Sequence, residues 1–305
     1  MNDIQKHVLE KVAGISEAPK GAYNIRINGA SAGRVSNDYI SIVPKENNQG
    51  IEIHIKAGTK GETVYIPVVV SQSGLTDVVQ NDFFIGEGAD VVIIAGCGIH
   101  NDGDDIAQHD GVHNFFVGKE ARVFYVEKHY GEGKGTGEKV LNPITNVYLE
   151  ADSYLEMKTI QIKGVDSTKR LTTAVVGDNA TVVVNEKLMT HGTQYAETDF
   201  VVDLNGEGSS ANIASRSVAK DSSEQTFLSK ITGNNKCMGH SECDAIIMDE
   251  AVVKAIPEIT AGHVDASLIH EAAIGKIAGE QIVKLMTLGL TQEEAEAQII
   301  NGFLK

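Results

Sequence analysis

The chain has 305 residues, of which 42 are acidic and 26 basic, for a net charge of −16 at pH 7. A field of that sign repels nucleic acid, whose binding rests on neutralising phosphates with Lys and Arg, so nucleic acid is excluded as a partner. Aromatic residues make up only 5%, Trp is absent and Gly numbers 31, a composition that suits stacked strands with tight turns better than a helical bundle.

Three cysteines, Cys97, Cys237 and Cys243, are odd in number and form no disulfide framework. The N-terminal stretch MNDIQKHVLEKVAG lacks the continuous apolar core of a signal peptide. No apolar run approaches the ~18 residues that span a bilayer. A cytoplasmic, membrane-free protein in a reducing compartment is expected.

Taken in order, Ile4, Val8, Leu9 and Val12 recur at helical spacing and predict one short amphipathic helix. Residues 22–43, with turn signals at Gly29, Gly33 and Asn37, read as irregular. Residues 1–45 therefore form an N-terminal helix and irregular segment. From Gly50 the pattern becomes strand-like in IEIHIKAG and ETVYIPVVVS, with Pro67 marking an edge or a bend in the second run.

One template then repeats: a Gly- or acid-containing turn, a small residue, and alternating apolar residues. It occurs at GEGADVVIIAG, GKEARVFYVEK, LEADSYLEMKT, GDNATVVVNEK and GEGSSANIASR. The small residues Ala89, Ala121, Ala151, Ala180 and Ser209 lie 32, 30, 29 and 29 apart. Such a period, with short strands and no interleaved helices, means a stacked β architecture and not a doubly wound sheet. The fold class expected is all-β: a parallel β-helix, or β-solenoid, over residues 46–268, right-handed by the general crossover rule.

After Ala272 the period changes. Ile274, Ile277, Ala278, Ile282, Leu285 and Leu288 recur at helical spacing, and Gly289 stands as a stop. Thr291 precedes Glu294 by three positions, a capping box, and Ala295, Ile299 and Phe303 share one face of a second helix. Residues 269–305 thus read as a C-terminal helical hairpin, too small for its own core, that docks on a partner, on the solenoid, or on both.

Chemistry concentrates near this junction. Cys243 lies between Glu242 and Asp244, and the pair His270–Glu271 stands at the expected start of the helix. A thiol, an imidazole and a carboxylate can ligate iron. The plain alternatives are a buried inert cysteine and a locally capping His–Glu pair. Cys237, six residues before Cys243, fits no zinc spacing. Cys97, His100, His109 and His113 offer a second metal-ligand set, but their DGDD and QHDG surroundings read as a solvated loop. GEGKGTGEK from Gly131 lacks the Walker A order and reads as a loop that does not bind ATP.

GHSECDAIIMD, the later HEA-x-x-x-KI-x-x-x-Q and the terminal I-x-NGF together resemble the SufB/SufD family of iron–sulfur cluster assembly scaffolds. The resemblance is strong from Thr172 to Lys305 and weaker toward the N-terminus. It is to the short, minimal form (SmsB-like, from archaea and anaerobes). It implies a right-handed β-helix, a homodimer through that β-helix, and a SufC-like ABC-type ATPase on the C-terminal helices. It also implies a transient 2Fe–2S or 4Fe–4S cluster held at Cys243, His270 and Glu271 and handed to apo recipient proteins, without catalysis by the chain itself. No counterpart is assigned to the upstream cysteine that bacterial SufB members are proposed to use for sulfur. Two rival readings remain: a SufD-like structural partner without its own cluster, and a β-helix carbohydrate-active enzyme. The missing Trp and the low aromatic content weigh against the carbohydrate reading.

Overall fold

The computed structural model describes residues 1–46 and 49–305. Its body is a β-solenoid of about eight turns, with 58% of residues in strands and 11% in helices. The strands form two sheets, and neighbours within each sheet are parallel except for the antiparallel edge pairs Ala22–Ile27 with Ala30–Val35 and Ile40–Pro44 with Gly50–Ile55. Sheet I runs from the hairpin at Ala30–Val35 and Ala22–Ile27 to the strand Ala266–Gly275. Sheet II runs from Ile40–Pro44 to Val252–Ala261. Both terminal strands, Ala266–Gly275 and Val252–Ala261, pair on one side only.

The corners explain the repeat. In Gly86–Ala89, Gly118–Ala121, Glu150–Ser153, Gly177–Ala180 and Gly206–Ser209 the fourth N–H donates to the first carbonyl at 3.1–3.3 Å. The third residue adopts a left-handed backbone, with φ between 52° and 72° at Gly88, Glu120, Asp152, Asn179 and Gly208. Gly, Asn and Asp tolerate that region; Glu120 is the costly exception. The fourth residue turns inward against the neighbouring coils. Ala89, Ala121 and Ala180 are fully buried there.

One member of the expected repeat is corrected. The register Arg122↔Tyr154↔Thr181 places Ser153, not Ala151, in the inward corner. Ser153 satisfies its hydroxyl by donating to the Glu150 carbonyl at 2.6 Å. The corner residues Ala89, Ala121, Ser153, Ala180 and Ser209 are therefore spaced 32, 32, 27 and 29 apart. The two long coils carry the loops at 101–106 and 133–138, which later coils lack.

Residues 22–43 are not irregular. Ala22–Ile27 and Ala30–Val35 form an antiparallel hairpin whose turn is Asn28–Gly29, both at positive φ. That dipeptide is the strongest short-range hairpin signal. Pro67 is not at an edge, since its strand Lys60–Val70 pairs on both sides. Its missing N–H is accommodated because pairing with Ala22–Ile27 breaks between Tyr23↔Tyr65 and Arg26↔Val68.

Helix α1 (Asp3–Ala13) begins with a capping box between Asn2 and Gln5 and ends on left-handed Gly14. Its buried Val8, Leu9 and Val12 pack on sheet I over Gly96 and Gly98. At the other end, strand Ala266–Gly275 runs past the expected change of period. The helical segment begins at Gly279, not near Ala272: α2 spans Gly279–Thr287 and α3 spans Gln292–Phe303. Gly289 is left-handed, and Thr291 and Glu294 form the expected capping box. Ile300 and Leu304 pack on Val218 of sheet I, whereas α2 buries none of its residues.

Candidate functional site

The strand Cys237–Ile247 alternates strictly, and Cys237, Gly239, Ser241, Cys243 and Ala245 face inward. Cys243 is 1% exposed and lies opposite Ser215 on one neighbour and Ala272 on the other. Its thiol is pushed up to about 12, by burial first and then by the charges of Glu186 and Asp244. In the lone chain the sulfur is therefore a thiol, and only a bound cation that displaces the proton makes it a ligand.

His270 and Glu271 lie in the last strand of sheet I, not at a helix start. Successive strand residues face opposite ways, so the two are separated. His270 lies opposite Ser241 and shares the inward side of Ala266 and Leu268, which pack on the core. Its Nδ1 is buried and has no hydrogen-bond partner among the described residues. Burial, followed by the charge of His240, lowers its pKa. Glu271 lies opposite Glu242 on the outer side, with its side chain 68% exposed and 3.9 Å from His240. The structure thus brings Cys243 and His270 to one inner face, on adjacent rungs and two residues apart along the strand. It leaves Glu271 outside. Among the described residues no three His, Cys, Asp or Glu side chains gather as a metal site.

The other cysteines resolve differently. Cys237 occupies an inward corner, where a Cβ on Gly233 would come within 2.8 Å of its Sγ. Cys97 is 4% exposed on the inner face of Asp90–His100, and burial, with Asp77 and Glu127, raises its pKa. His109 and His113 are not in a solvated loop. Both are buried on the inner face of the strand Ala107–Val117. His100 points outward, between Glu132 and Asp102, each at 3.0 Å.

His109 and His113 belong to a buried polar file that sequence reasoning missed. Arg26 clamps Asp77, and His109 Nδ1 sits 3.2 Å from the same carboxylate. His113 lies 2.8 Å from Tyr125 Oη, which donates to Glu127 at 3.2 Å. Arg170 pairs with Glu127 and sits 3.7 Å from Glu186. Glu186 accepts from Ser215 at 2.7 Å and Thr198 at 3.0 Å. Burial raises the pKa of Glu127, but Arg170 and then His129 outweigh it and hold the carboxyl well below its ordinary value. Ser215 is the cross-strand neighbour of Cys243, so the file ends beside that thiol. The visible signal was polar residues at period two in QHDGVHN.

The glycines of GEGKGTGEK let one loop stack on another. Gly135 N–H donates to Asn101 O and Gly137 N–H to Gly103 O, and a Cβ on Gly135 would sit 2.1 Å from Gly103 O.

Comparison with known proteins gives the lineage. The profile described as "SUF system FeS cluster assembly, SufBD core domain" matches residues 69–303. A protein of Methanothermobacter thermautotrophicus named "Iron-sulfur cluster assembly SufBD family protein" is 33% identical over 224 residues, covering 72% of this chain and 53% of the relative. A protein of the same name from Archaeoglobus fulgidus is 31% identical over 228 residues, covering 74% and 60% respectively. A relative from Methanocaldococcus jannaschii, at 25% identity, covers 83% of the chain and 80% of its own length. This chain thus spans little more than half the length of the first two relatives. The match over most of the solenoid, including both strands of the candidate site, places the chain in the SufBD family of iron–sulfur cluster assembly proteins.

Proposed function

We propose that the protein is a scaffold on which a nascent iron–sulfur cluster, its cargo, is built and from which it is handed to apo recipient proteins. The observation that carries this reading is the placement of Cys243 and His270 together on the inner face of the last two rungs of an open-ended solenoid. Two inward donors are fewer than a closed metal site needs. A second copy meeting the first at that end supplies the remainder. Support for such a homodimer comes from the two edge strands, which pair with no further strand among the described residues, and from the exposed Ile256, Val264 and Ile269 around them. Glu271, on the outer face, serves the assembled dimer and not the isolated chain.

An ABC-type, SufC-like ATPase is assigned to α2. Val283, Met286 and Leu288, at 60%, 43% and 74% exposure, form an apolar stripe that nothing covers among the described residues. Helix-in-groove docking uses such a stripe. The chain itself is given no catalytic step. No helix among the described residues is long and apolar enough to cross a membrane.

The test is anaerobic reconstitution with the partner ATPase and ATP, measuring iron, acid-labile sulfide and visible thiolate-to-iron absorbance. Wild type is expected to hold a cluster and Cys243→Ala to lose it. Equal iron and sulfide in both would remove Cys243 from the site. No cluster in either would favour the SufD-like structural partner.

A further inference from the structure

Several buried and half-buried cations in this protein are paired with carboxylates: Arg26 with Asp77, Lys45 with Asp82, Lys139 with Asp166, and Arg170 with Glu127. Acidic residues outnumber basic ones by 42 to 26, so partners are plentiful. One cluster of cations is gathered without a side-chain carboxylate partner. On the outer face of sheet I, Lys158, Lys187 and Arg216 converge on a cleft of about 250 Å³ bounded by Asn185 and by Lys305, just past α3. Lys187 and Arg216 are direct cross-strand neighbours, and Arg216 has Asp244 opposite it on its other side. Lys158 lies opposite Asn185, two residues before Lys187. Like charges on adjacent rungs, about 4.8 Å apart, repel each other.

Neither Lys158 nor Arg216 forms an ion pair among the described residues. Lys187 donates to the Lys305 carbonyl, and Lys158 and Arg216 have no hydrogen-bond partner there. The repulsion is felt, since burial and then Lys158 and Arg216 lower the pKa of Lys187. Two carboxylates line the cleft but are engaged elsewhere. Glu156 accepts from Tyr154 Oη at 3.0 Å, and Glu186 is turned inward to Ser215 and Thr198.

We propose that this cleft is a binding site for a small, multiply charged oxyanion, phosphate or a polycarboxylate. Such a ligand matches the donor chemistry: a guanidinium fork from Arg216, point charges from Lys158 and Lys187, and an amide N–H from Asn185. Its charge would relieve the repulsion that the fold leaves standing. The site is separate from Cys243, which faces the opposite side of the same sheet, and it is complete in the apo protein.

Calorimetric titration of the full apo chain with inorganic phosphate and, separately, with citrate tests this at constant ionic strength, with chloride as control. Saturable binding of at least one is expected, weakening with salt, and the arm that binds tells phosphate from polycarboxylate. The double variant Lys158→Gln/Arg216→Gln should lose roughly tenfold or more in affinity with an unchanged circular dichroism spectrum. Lys187 is retained because it also holds α3. If the double variant does not fold, Lys158→Gln alone carries the comparison. No saturable binding of either anion by wild type, or equal affinity in the folded variant, overturns the proposal.

Discussion

Inside the solenoid, ordinary side chains acquire unusual titration behaviour. His113 is held neutral: burial lowers its pKa from 6.5 to about 4, although the Glu127 charge pulls the other way. As pH falls through the window from 6.5 to about 4, the unfolded chain takes up a proton that the native state refuses. Stability therefore declines across that window, by up to about 3 kcal/mol from this residue. His113→Gln should flatten the pH dependence of urea midpoints between pH 7 and pH 4.5, and identical slopes in the two proteins would refute it. At the same scale, Cys243, His270 and Glu271 were legible as candidates from motif alone. Their division between two faces was not, because His270 and Glu271 were read as a helix start, where neighbours do not alternate. Once they lie in a strand, the period of two separates them.

Helix α1 illustrates how an element is seated by the absence of side chains. Gly98 lies under Val8, and a Cβ there would fall 2.1 Å from Val8 Cγ1. The β-branched Val8 has little rotamer freedom to yield. Gly98→Ala is expected to cost about 1–3 kcal/mol in urea unfolding, and adding Val8→Ala should restore part of that loss. Additive effects in that double-mutant cycle would show that the two residues do not meet. The helix itself, the capping box at Thr291 and the stop at Gly289 were readable from sequence because each is a local signal. The hairpin at Asn28–Gly29 was equally local, but scattered glycines nearby masked it. His109 and His113 were hidden for a different reason. Polar residues on an inward strand face mimic a solvated loop until the buried partners Asp77 and Tyr125 are known.

Across the whole molecule, charge and exposure are unevenly placed. α1 and the hairpin lie at one end of the solenoid, whereas the other end presents two edge strands with Ile256 and Ile269 exposed at 53% and 51%. Exposed edges of this kind recruit another chain. If the homodimer forms there, Ile256→Lys/Ile269→Lys should shift the light-scattering mass from dimer to monomer while the far-ultraviolet spectrum is kept. A dimer that persists with unchanged affinity would move the interface elsewhere. The same placement leaves the inner donors of the last two rungs beside an open end.

Local pattern alone determined the solenoid class, the terminal helices and the identity of Cys243, His270 and Glu271 as residues of interest. Period, turn chemistry and capping are short-range properties, and a motif needs only its own residues. Only the tertiary structure decided which residue fills each corner, where the last strand gives way to α2, and which side chains share the interior. Those depend on coil-to-coil register, and two inserted loops shift it by several residues without leaving any mark in the local period. The buried file from Asp77 to Ser215 and the cation cluster at Lys158, Lys187 and Arg216 are consequences of that register. They join residues some thirty positions apart, which only stacking brings together.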